Sequence, residues 1–323
     1  MSIRFARTLW LAAIAMPGAA LSVGCDGDEP PSGATTTSTT GTGGAGGTGG
    51  AGGTGGTGGA GGAGGESSID VSLPFEARVG DQAFDCAITY PGLGTAATEV
   101  TFTDFRLYIH DVRLILAESG GEVPVTLTQD GLWQYQDLAL LDFEDSSGAC
   151  ANGTAETNTL VRGTAPAGSY VGVAFKLGVP AALNHADASA APSPLNLTAM
   201  FWNWNVGYKF LRIDSVPVGA QEAFNLHLGS TGCAGDPLLG EEVTCQWPNR
   251  AEITLTGFDP LTTPVLIDYA AVVEDSDLTM NGGGAVGCMS GPTDPECAAI
   301  FERLGLSLVD GTTIPGQQLF GVE

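Results

Sequence analysis

The chain has 323 residues, of which 36 are Asp or Glu and 11 are Lys or Arg, so its formal net charge is −25 at pH 7. Binding to nucleic acid requires a basic surface, and an anionic membrane surface repels a chain this acidic. The composition therefore argues against both partners, whereas acidity alone says nothing about a substrate.

The first 24 residues have the features of a secretory signal. The apolar run Leu9–Ala15 follows a positively charged start, and small residues precede Cys25. The run is too short to span a membrane. A cysteine after small residues is typical of bacterial lipoproteins, so we predict a signal peptide over residues 1–24, export, and a membrane anchor on a lipidated Cys25 that faces the periplasm or the cell surface. Ser22 stands where such signals usually have Leu, and the alternative is ordinary cleavage that releases a soluble product.

Residues 25–66 form a low-complexity segment rich in Gly and Thr, with repeated Gly-Gly-Ala and Gly-Gly-Thr units. No residue type in it can build a core, so we predict a disordered tether. About 40 residues of this kind span on the order of 35 Å as a random coil. That length separates a lipid anchor from a folded domain.

Residues 67–323 are long enough for one large domain. Short alternating apolar runs recur between Gly, Pro and Asn turns, which predicts an all-β fold, a sandwich or a barrel. The predicted strands are Ile69–Ala77, Val100–Leu116, Thr159–Val161, Tyr170–Leu177, Met200–Ile213, Ala223–Leu228, Ala251–Leu255 and Val265–Val273. One helix is predicted at Asp294–Leu304, because Pro295 suits a first helical turn and Gly305 a C-terminal stop.

The stretch Met200–Arg212 contains two of the five tryptophans. As one strand, it would place Met200, Trp202 and Trp204 on the same face. Exposing such a face is costly, so a core strand with an aromatic ladder is the simplest interpretation. Gly207 interrupts the alternation and predicts a bulge or a close backbone approach.

Six cysteines follow Cys25, and an even number in an exported chain predicts disulfides. They are Cys86, Cys150, Cys233, Cys245, Cys288 and Cys297. Fifteen connectivities are possible. Proximity in sequence favours Cys233–Cys245 and Cys288–Cys297, which leaves Cys86 with Cys150, and each bond would stabilise the fold by about 2–4 kcal/mol.

The chain has three histidines. In Phe105–Val112 the alternation places His110 on the face opposite the apolar residues, and in Phe224–Leu228 it does the same for His227. His185 lies in a loop. A single histidine is more often structural than a ligand, although imidazole is the commonest metal-binding side chain. Three imidazoles with an open coordination position would suit copper or zinc rather than magnesium or calcium.

Several local sequences resemble those of the MbnP-like family, also called the metallo-mystery-pair four-Cys-motif proteins. Their order and number are specific, and together they run through most of the predicted domain. The matching pieces are Phe105–Val112, the loop Gly178–His185, Ser193–Asn196, Met200–Phe210, His227–Cys233 with Cys245, and Gly287–Ser290 with Glu296–Cys297.

The resemblance implies a periplasmic or surface copper protein. In this family, histidines bind copper near a tryptophan that a paired MauG-like (MbnH-like) diheme peroxidase has oxidised to kynurenine. Carried over by position, the copper ligands are His110, His185 and His227, and the modified residue is Trp202 or Trp204. Cys86 and Cys150 depart from the four-cysteine pattern and add a disulfide.

We therefore predict a tethered all-β copper-binding protein of copper homeostasis, without turnover of its own and with the diheme enzyme as its partner. One alternative is a surface lipoprotein for adhesion or ligand binding, in which the histidines are structural. Another is a copper enzyme, since three imidazoles leave room for oxygen to bind. Metal content separates the first alternative from the prediction, and oxidase or oxygenase turnover separates the second.

Overall fold

The computed structural model describes residues 67–203, 205–220 and 222–323. The predicted signal peptide with its tether, the lipidation site Cys25 and the second tryptophan of the pair, Trp204, lie outside the described residues. No helix in the described part of the chain is long and apolar enough to cross a membrane.

The regular secondary structure of the described residues is mostly β-strand, as predicted, with 41% strand against 7% helix, and the sheets stay open instead of closing into a barrel. In chain order the strands are β1 (Ser68–Val79), β2 (Gln82–Ala83), β3 (Tyr90–Leu93), β4 (Thr98–Leu116), β5 (Glu122–Pro124), β6 (Thr126–Leu127), β7 (Gln134–Tyr135), β8 (Leu138–Asp142), β9 (Leu160–Pro166), β10 (Tyr170–Leu177), β11 (Phe201–Asn203), β12 (Gly207–Tyr208), β13 (Leu211–Pro217), β14 (Phe224–Leu228), β15 (Thr231–Ala234), β16 (Thr244–Trp247), β17 (Glu252–Thr256), β18 (Val265–Asp268), β19 (Gly287–Cys288) and β20 (Phe320–Gly321). The α-helices are α1 (Tyr269–Val273) and α2 (Cys297–Arg303).

Two large sheets build the sandwich. The smaller runs in the order β20-β18-β1-β9-β6, with β2 on β1, and the larger in the order β17-β10-β4-β13-β14-β19, with β3, β5, β7 and β8 attached beside that path. Strand β4 is central, because it pairs with β3, β5, β8, β10 and β13. Residues placed on β4 are therefore held by several neighbours at once.

A single apolar core lies between the two sheets. Phe75 on β1 contacts Phe175 on β10 edge to face, with the ring centroids 5.8 Å apart. The inner residues of β4 and β14 are the apolar ones predicted from alternation, and all of them are buried: Phe105, Leu107, Ile109, Phe224, Leu226 and Leu228. The opposite face of the larger sheet is therefore left to the polar side chains of the same strands.

The prediction of one long strand over Met200–Ile213 is wrong. Met200 ends a short 3-10 helix, and the chain then forms β11, a turn, β12 and β13. The side-chain oxygen of Asn203 accepts hydrogen bonds from the backbone N–H groups of Asn205 and Val206, each at 3.0 Å, and this turn breaks the strand.

Gly207 follows that turn with a φ of 88°. A Cβ at this position would lie 2.4 Å from the carbonyl oxygen of Asn184. The predicted close backbone approach is thereby confirmed, since only glycine fits both the angle and the gap.

Two other predicted elements are partly right. Residues Tyr269–Val273 form α1 and not the end of a strand, because the carboxylate of Asp268 accepts a hydrogen bond from the Ala270 N–H and caps the helix. The predicted helix at Asp294–Leu304 is shorter than expected and is α2, which ends before Gly305 at a φ of 70°.

The three favoured disulfides are present: Cys86–Cys150, Cys233–Cys245 and Cys288–Cys297. Their surroundings differ. The cysteines of the first and third bonds are at most 3% exposed. Cys233 and Cys245 are half-buried and face each other across the β15–β16 hairpin.

Phe102 offers a test of the core. Its ring meets those of Phe84, Tyr90 and Tyr269 edge to face, at 5.5, 5.5 and 5.0 Å between centroids. Because Phe102→Ala leaves a cavity among these rings, it should lower the free energy of unfolding by about 3–5 kcal/mol in chemical denaturation. Leu132→Ala, at a residue 48% exposed, is the control and should cost less than about 0.5 kcal/mol. Equal small losses would contradict the core assignment.

Candidate functional site

The outer face of the larger sheet carries buried charges. Register pairs Arg106 on β4 with Arg212 on β13, and Arg212 with His227 on β14. Directly paired residues share a face, so these three side chains lie in one row across the sheet. Asp104 and Asp214 form the next row on the same face.

Arg106 is the centre of this face and is only 2% exposed. Its Nε donates a hydrogen bond of 2.8 Å to Asp104, and its Nη1 lies 3.4 Å from Glu144 Oε1. Burial disfavours the guanidinium charge, but these carboxylates outweigh burial and raise the pKa of Arg106 above its ordinary value. Arg212 extends the network, with its Nη1 2.9 Å from Asp104 Oδ2.

Residues 178–203, here called the covering segment, close over this charged face. The hydroxyl of Tyr108 on β4 donates to the carbonyl of Pro194 at 2.9 Å. Arg212 Nη1 and Lys209 Nζ both donate to the carbonyl of Ala199, at 3.2 and 2.8 Å. The segment also carries His185 and Trp202, and Trp202 lies beside His227 on this face.

His227 has one ring nitrogen paired and one unpaired. Its Nε2 lies 2.5 Å from Asp214 Oδ1, and because a carboxylate only accepts, Nε2 carries the proton. Nδ1 is buried and has no hydrogen-bond partner. Burial lowers the pKa of His227, although Asp214 opposes the shift, so the ring is neutral at neutral pH. A neutral ring with this tautomer carries its lone pair on Nδ1.

Asp214 remains ionised beside this ring. Burial by itself raises its pKa, but His227 and Arg212 outweigh burial and hold the pKa below its ordinary value. Arg212 Nη2 lies 2.7 Å from Asp214 Oδ2. An anionic carboxylate that accepts a hydrogen bond from one imidazole nitrogen raises the basicity of the other nitrogen.

Trp202 lies next to His227. The two ring centroids are 6.3 Å apart, with the planes inclined by 53°. A Cβ at Gly229 would stand 2.4 Å from Cζ3 of Trp202, so glycine makes the room for the indole. The buried Ser290 hydroxyl accepts from the Gly229 N–H and donates to the His227 carbonyl, at 2.8 and 2.7 Å, which fixes the backbone on both sides.

His110 is oriented in a similar way by the backbone. Its Nδ1 donates to the carbonyl of Gly178 at 2.7 Å, so the lone pair lies on Nε2. Burial lowers the pKa of this residue as well. His110 stands four residues along β4 from Arg106, about 13 Å at ~3.3 Å per residue, and two strands away from His227.

His185 faces a disulfide. The amide oxygen of Asn184 accepts from the Tyr208 N–H at 3.0 Å, which leaves its Nδ2 to donate to His185 Nε2 at 3.1 Å. The same Nε2 lies 3.4 Å from Cys245 Sγ. His185 is thus placed by its neighbour Asn184 and lies against the β15–β16 hairpin.

Two juxtapositions follow. Within residues 67–203, 205–220 and 222–323, one group of three His, Cys, Asp or Glu donor atoms lies within 4.8 Å of one another: His185 with the disulfide-bonded Cys233 and Cys245. The three histidines do not form such a group. The structure does bring His227 together with Trp202, and a shared site for all three histidines stays a prediction.

Sequence reasoning did not find Asp214, Ser290 or Asn184. Asp214 shares the outer face of β13 with Arg212 by simple alternation, and that pattern was the one signal available. Ser290 and Asn184 act through contacts with residues 61 and 24 positions away, which no local pattern reveals.

A family model described as MbnP matches residues 68–290. The chain belongs to the MbnP family. The resemblance drawn from the sequence motifs is thereby confirmed, and the matched range includes all three histidines. A solved structure of MbnP from Methylosinus trichosporium is similar, with a TM-score of 0.74 and 36% sequence identity over 79% of this chain and 98% of that one. No curated protein matches the chain.

Besides His227, Asp142 is a buried titratable group with an unpaired atom on the charged face of this MbnP-family chain. It is fully buried, its Oδ1 has no partner, and its Oδ2 accepts from the Thr154 hydroxyl at 3.2 Å. Burial raises the pKa of Asp142 to about 8; Arg106 opposes this shift, and Glu144 adds to it.

Replacing Asp142 should change how stability depends on pH. In the folded chain the Asp142 carboxyl keeps its proton up to about pH 8, whereas in the unfolded chain it releases the proton at about pH 3.9. Because the folded state holds more protons in this window, the free energy of unfolding contributed by Asp142 falls as pH rises. Asp142→Asn should flatten the slope between about pH 5 and 8, measured by chemical denaturation. The exposed Asp70→Asn is the control, and an unchanged slope in Asp142→Asn would contradict the assignment.

Proposed function

We propose that this protein is a non-catalytic copper-binding protein of copper homeostasis and that His227 is its leading copper ligand. The observation that carries the proposal is the buried Nδ1 of His227, which has a lone pair, no partner and Trp202 beside it. Metal-binding histidines usually donate their other ring proton to a carboxylate or a carbonyl, and Asp214 fills that role here.

The other two histidines are candidates of different quality. His110 also donates one ring proton, to the carbonyl of Gly178, and keeps its second nitrogen as an acceptor. Its distance along β4 makes it a separate candidate from His227. His185 lies on the covering segment with Trp202 and stays a candidate for a further ligand of an ion at His227, although its Nε2 lies 3.4 Å from Cys245 Sγ.

The proposal includes maturation of a tryptophan. Indole is a poor ligand, whereas kynurenine offers a ketone oxygen and an aromatic amine. Trp202 is half-buried beside His227, and Trp204 is the alternative that follows it by two residues. Apolar packing does not drive this oxidation, so it requires the diheme MauG-like partner and an oxidant such as peroxide.

The cellular setting completes the proposal. Residues 1–24 direct export, and a lipidated Cys25 anchors the chain through the tether of residues 25–66. A tethered domain outside the cytoplasm is accessible both to copper and to an exported diheme enzyme.

Copper titration tests the ligand assignment. His227→Ala should lose most of the copper affinity, and Asp214→Asn should lower the affinity by about 10–100-fold because the ring loses its charged orienting partner. His110→Ala and His185→Ala, measured in parallel, decide whether either belongs to the same site. Asn225→Ala, on the same face of β14, is the matched control and should bind as the wild type does. Unchanged affinity in His227→Ala would remove His227 from the site.

Peptide mass spectrometry tests the maturation. Chain produced alone should carry both Trp202 and Trp204 intact, and co-production with its paired diheme protein should convert one of them to kynurenine. Trp202→Phe and Trp204→Phe identify which one, and Trp247 serves as the internal control that stays unmodified. If both tryptophans remain intact in the presence of an active diheme partner, the maturation proposal is wrong. Copper binding by His227 is tested separately, by the titration.

A further inference from the structure

The Cys233–Cys245 disulfide differs from the other two in its accessibility. It joins β15 to β16, which form a separate two-stranded sheet, and both of its cysteines are half-buried. The other four disulfide-bonded cysteines are at most 3% exposed. A small thiol attacks an accessible disulfide faster than a buried one, so this bond is the first that a reductant reaches.

A histidine stands against this bond. His185 Nε2 lies 3.4 Å from Cys245 Sγ, and the imidazole and both sulfurs lie within 4.8 Å of one another. His185 also lines an open cleft of about 550 Å³ with Pro237, Glu242 and Val243, so its side chain faces a space that is open to solvent. The imidazole and the two sulfurs therefore converge. Nε2 accepts a hydrogen bond from Asn184 Nδ2 at 3.1 Å, and an ion bound through Nε2 takes the place of that hydrogen bond.

Contacts other than the disulfide hold the group in place. Asn184 positions the His185 loop through its hydrogen bond with the Tyr208 N–H. The hairpin keeps its own backbone pairing between Thr231 and Trp247, and the Trp247 indole donates to the carbonyl of Val309 at 2.8 Å. Opening the bond therefore leaves both sides of the group where they are.

We infer that reduction of Cys233–Cys245 creates a second metal site, in which two thiolates and the His185 imidazole bind one soft ion, Cu(I). Two molecules of a small thiol supply the two electrons: the sulfur–sulfur bond breaks, the small thiol becomes its own disulfide, and each cysteine gains a proton. Each thiol gives up that proton when the ion binds. Two thiolates with one imidazole form a soft donor set that suits Cu(I). The inference stands independently of copper at His227.

The first test maps the reduction. Mild treatment of the folded chain with a small thiol, followed by alkylation and peptide mapping, should label Cys233 and Cys245 while Cys288 and Cys297 stay protected. Cys288–Cys297 is the matched control, because it also closes a short loop, of 9 residues against 12, but is buried. Far-ultraviolet circular dichroism should be unchanged by the treatment.

The second test measures the metal. After anaerobic removal of the thiol, Cu(I) titration against a chromophoric chelator should show one Cu(I) bound per chain at this site. A thiolate-to-copper charge-transfer band should appear with it and be absent without reduction. A chain with Cys233→Ser and Cys245→Ser should lack the band. His185→Ala should keep the band and bind Cu(I) at least about tenfold more weakly. The control Ser189→Ala, at an exposed residue of the same loop, should keep the band and bind Cu(I) as tightly as the wild type does.

Several results would overturn the inference. They are first labelling at a buried cysteine, unfolding on reduction, absence of the charge-transfer band, or equal Cu(I) affinity in His185→Ala and wild type. Copper binding by the unreduced chain, and its loss in His227→Ala, is measured without the thiol. If the unreduced chain binds no copper while the reduced chain still shows the charge-transfer band, only the proposed function is contradicted.

Discussion

The buried charge of Arg106 constrains everything built on the outer face of the larger sheet. A guanidinium removed from water requires carboxylates at hydrogen-bonding distance, and Asp104 and Glu144 provide them. The Glu144 carboxylate also lies close to the backbone: a Cβ at Gly153 would lie 1.4 Å from Glu144 Oε2, so a side chain there would displace the carboxylate. The charged layer is costly unless it is fully paired, and pairing it recruits three separate parts of the chain.

The same layer determines the state of the candidate ligand. Arg212 bridges Asp104 and Asp214, and Asp214 then orients His227. Because Asp214 stays anionic and His227 stays neutral, the ring proton stays on Nε2 and the free lone pair is on the buried Nδ1, in a ring that lies beside the Trp202 indole. His110 reaches an equivalent tautomer through a backbone carbonyl, without any charge. The two histidines thus differ in how strongly their surroundings would raise their basicity as ligands.

The sheet and the segment that covers it contribute in different ways. Side chains on the strands are positioned by several paired neighbours, which makes their geometry precise. Residues 178–203 have little strand pairing, at β11, and side chains also donate hydrogen bonds to their carbonyls, such as those of Pro194 and Ala199. This segment brings Trp202 to His227 and His185 to the β15–β16 hairpin. Nitrogen donors in the sheet and sulfur atoms at the hairpin then form two chemically distinct environments on one domain.

The sequence by itself determined the all-β class, the faces of His110 and His227, and the favoured cysteine pairs, since each depends on period-two alternation or short separation along the chain. Its local motifs also identified the family. Only the tertiary structure decided that Asp214 orients His227, that Met200–Ile213 breaks into separate pieces, and that His185 lies on a disulfide. These features arise from strand register and from contacts between residues far apart in sequence, and local periodicity does not encode either of them.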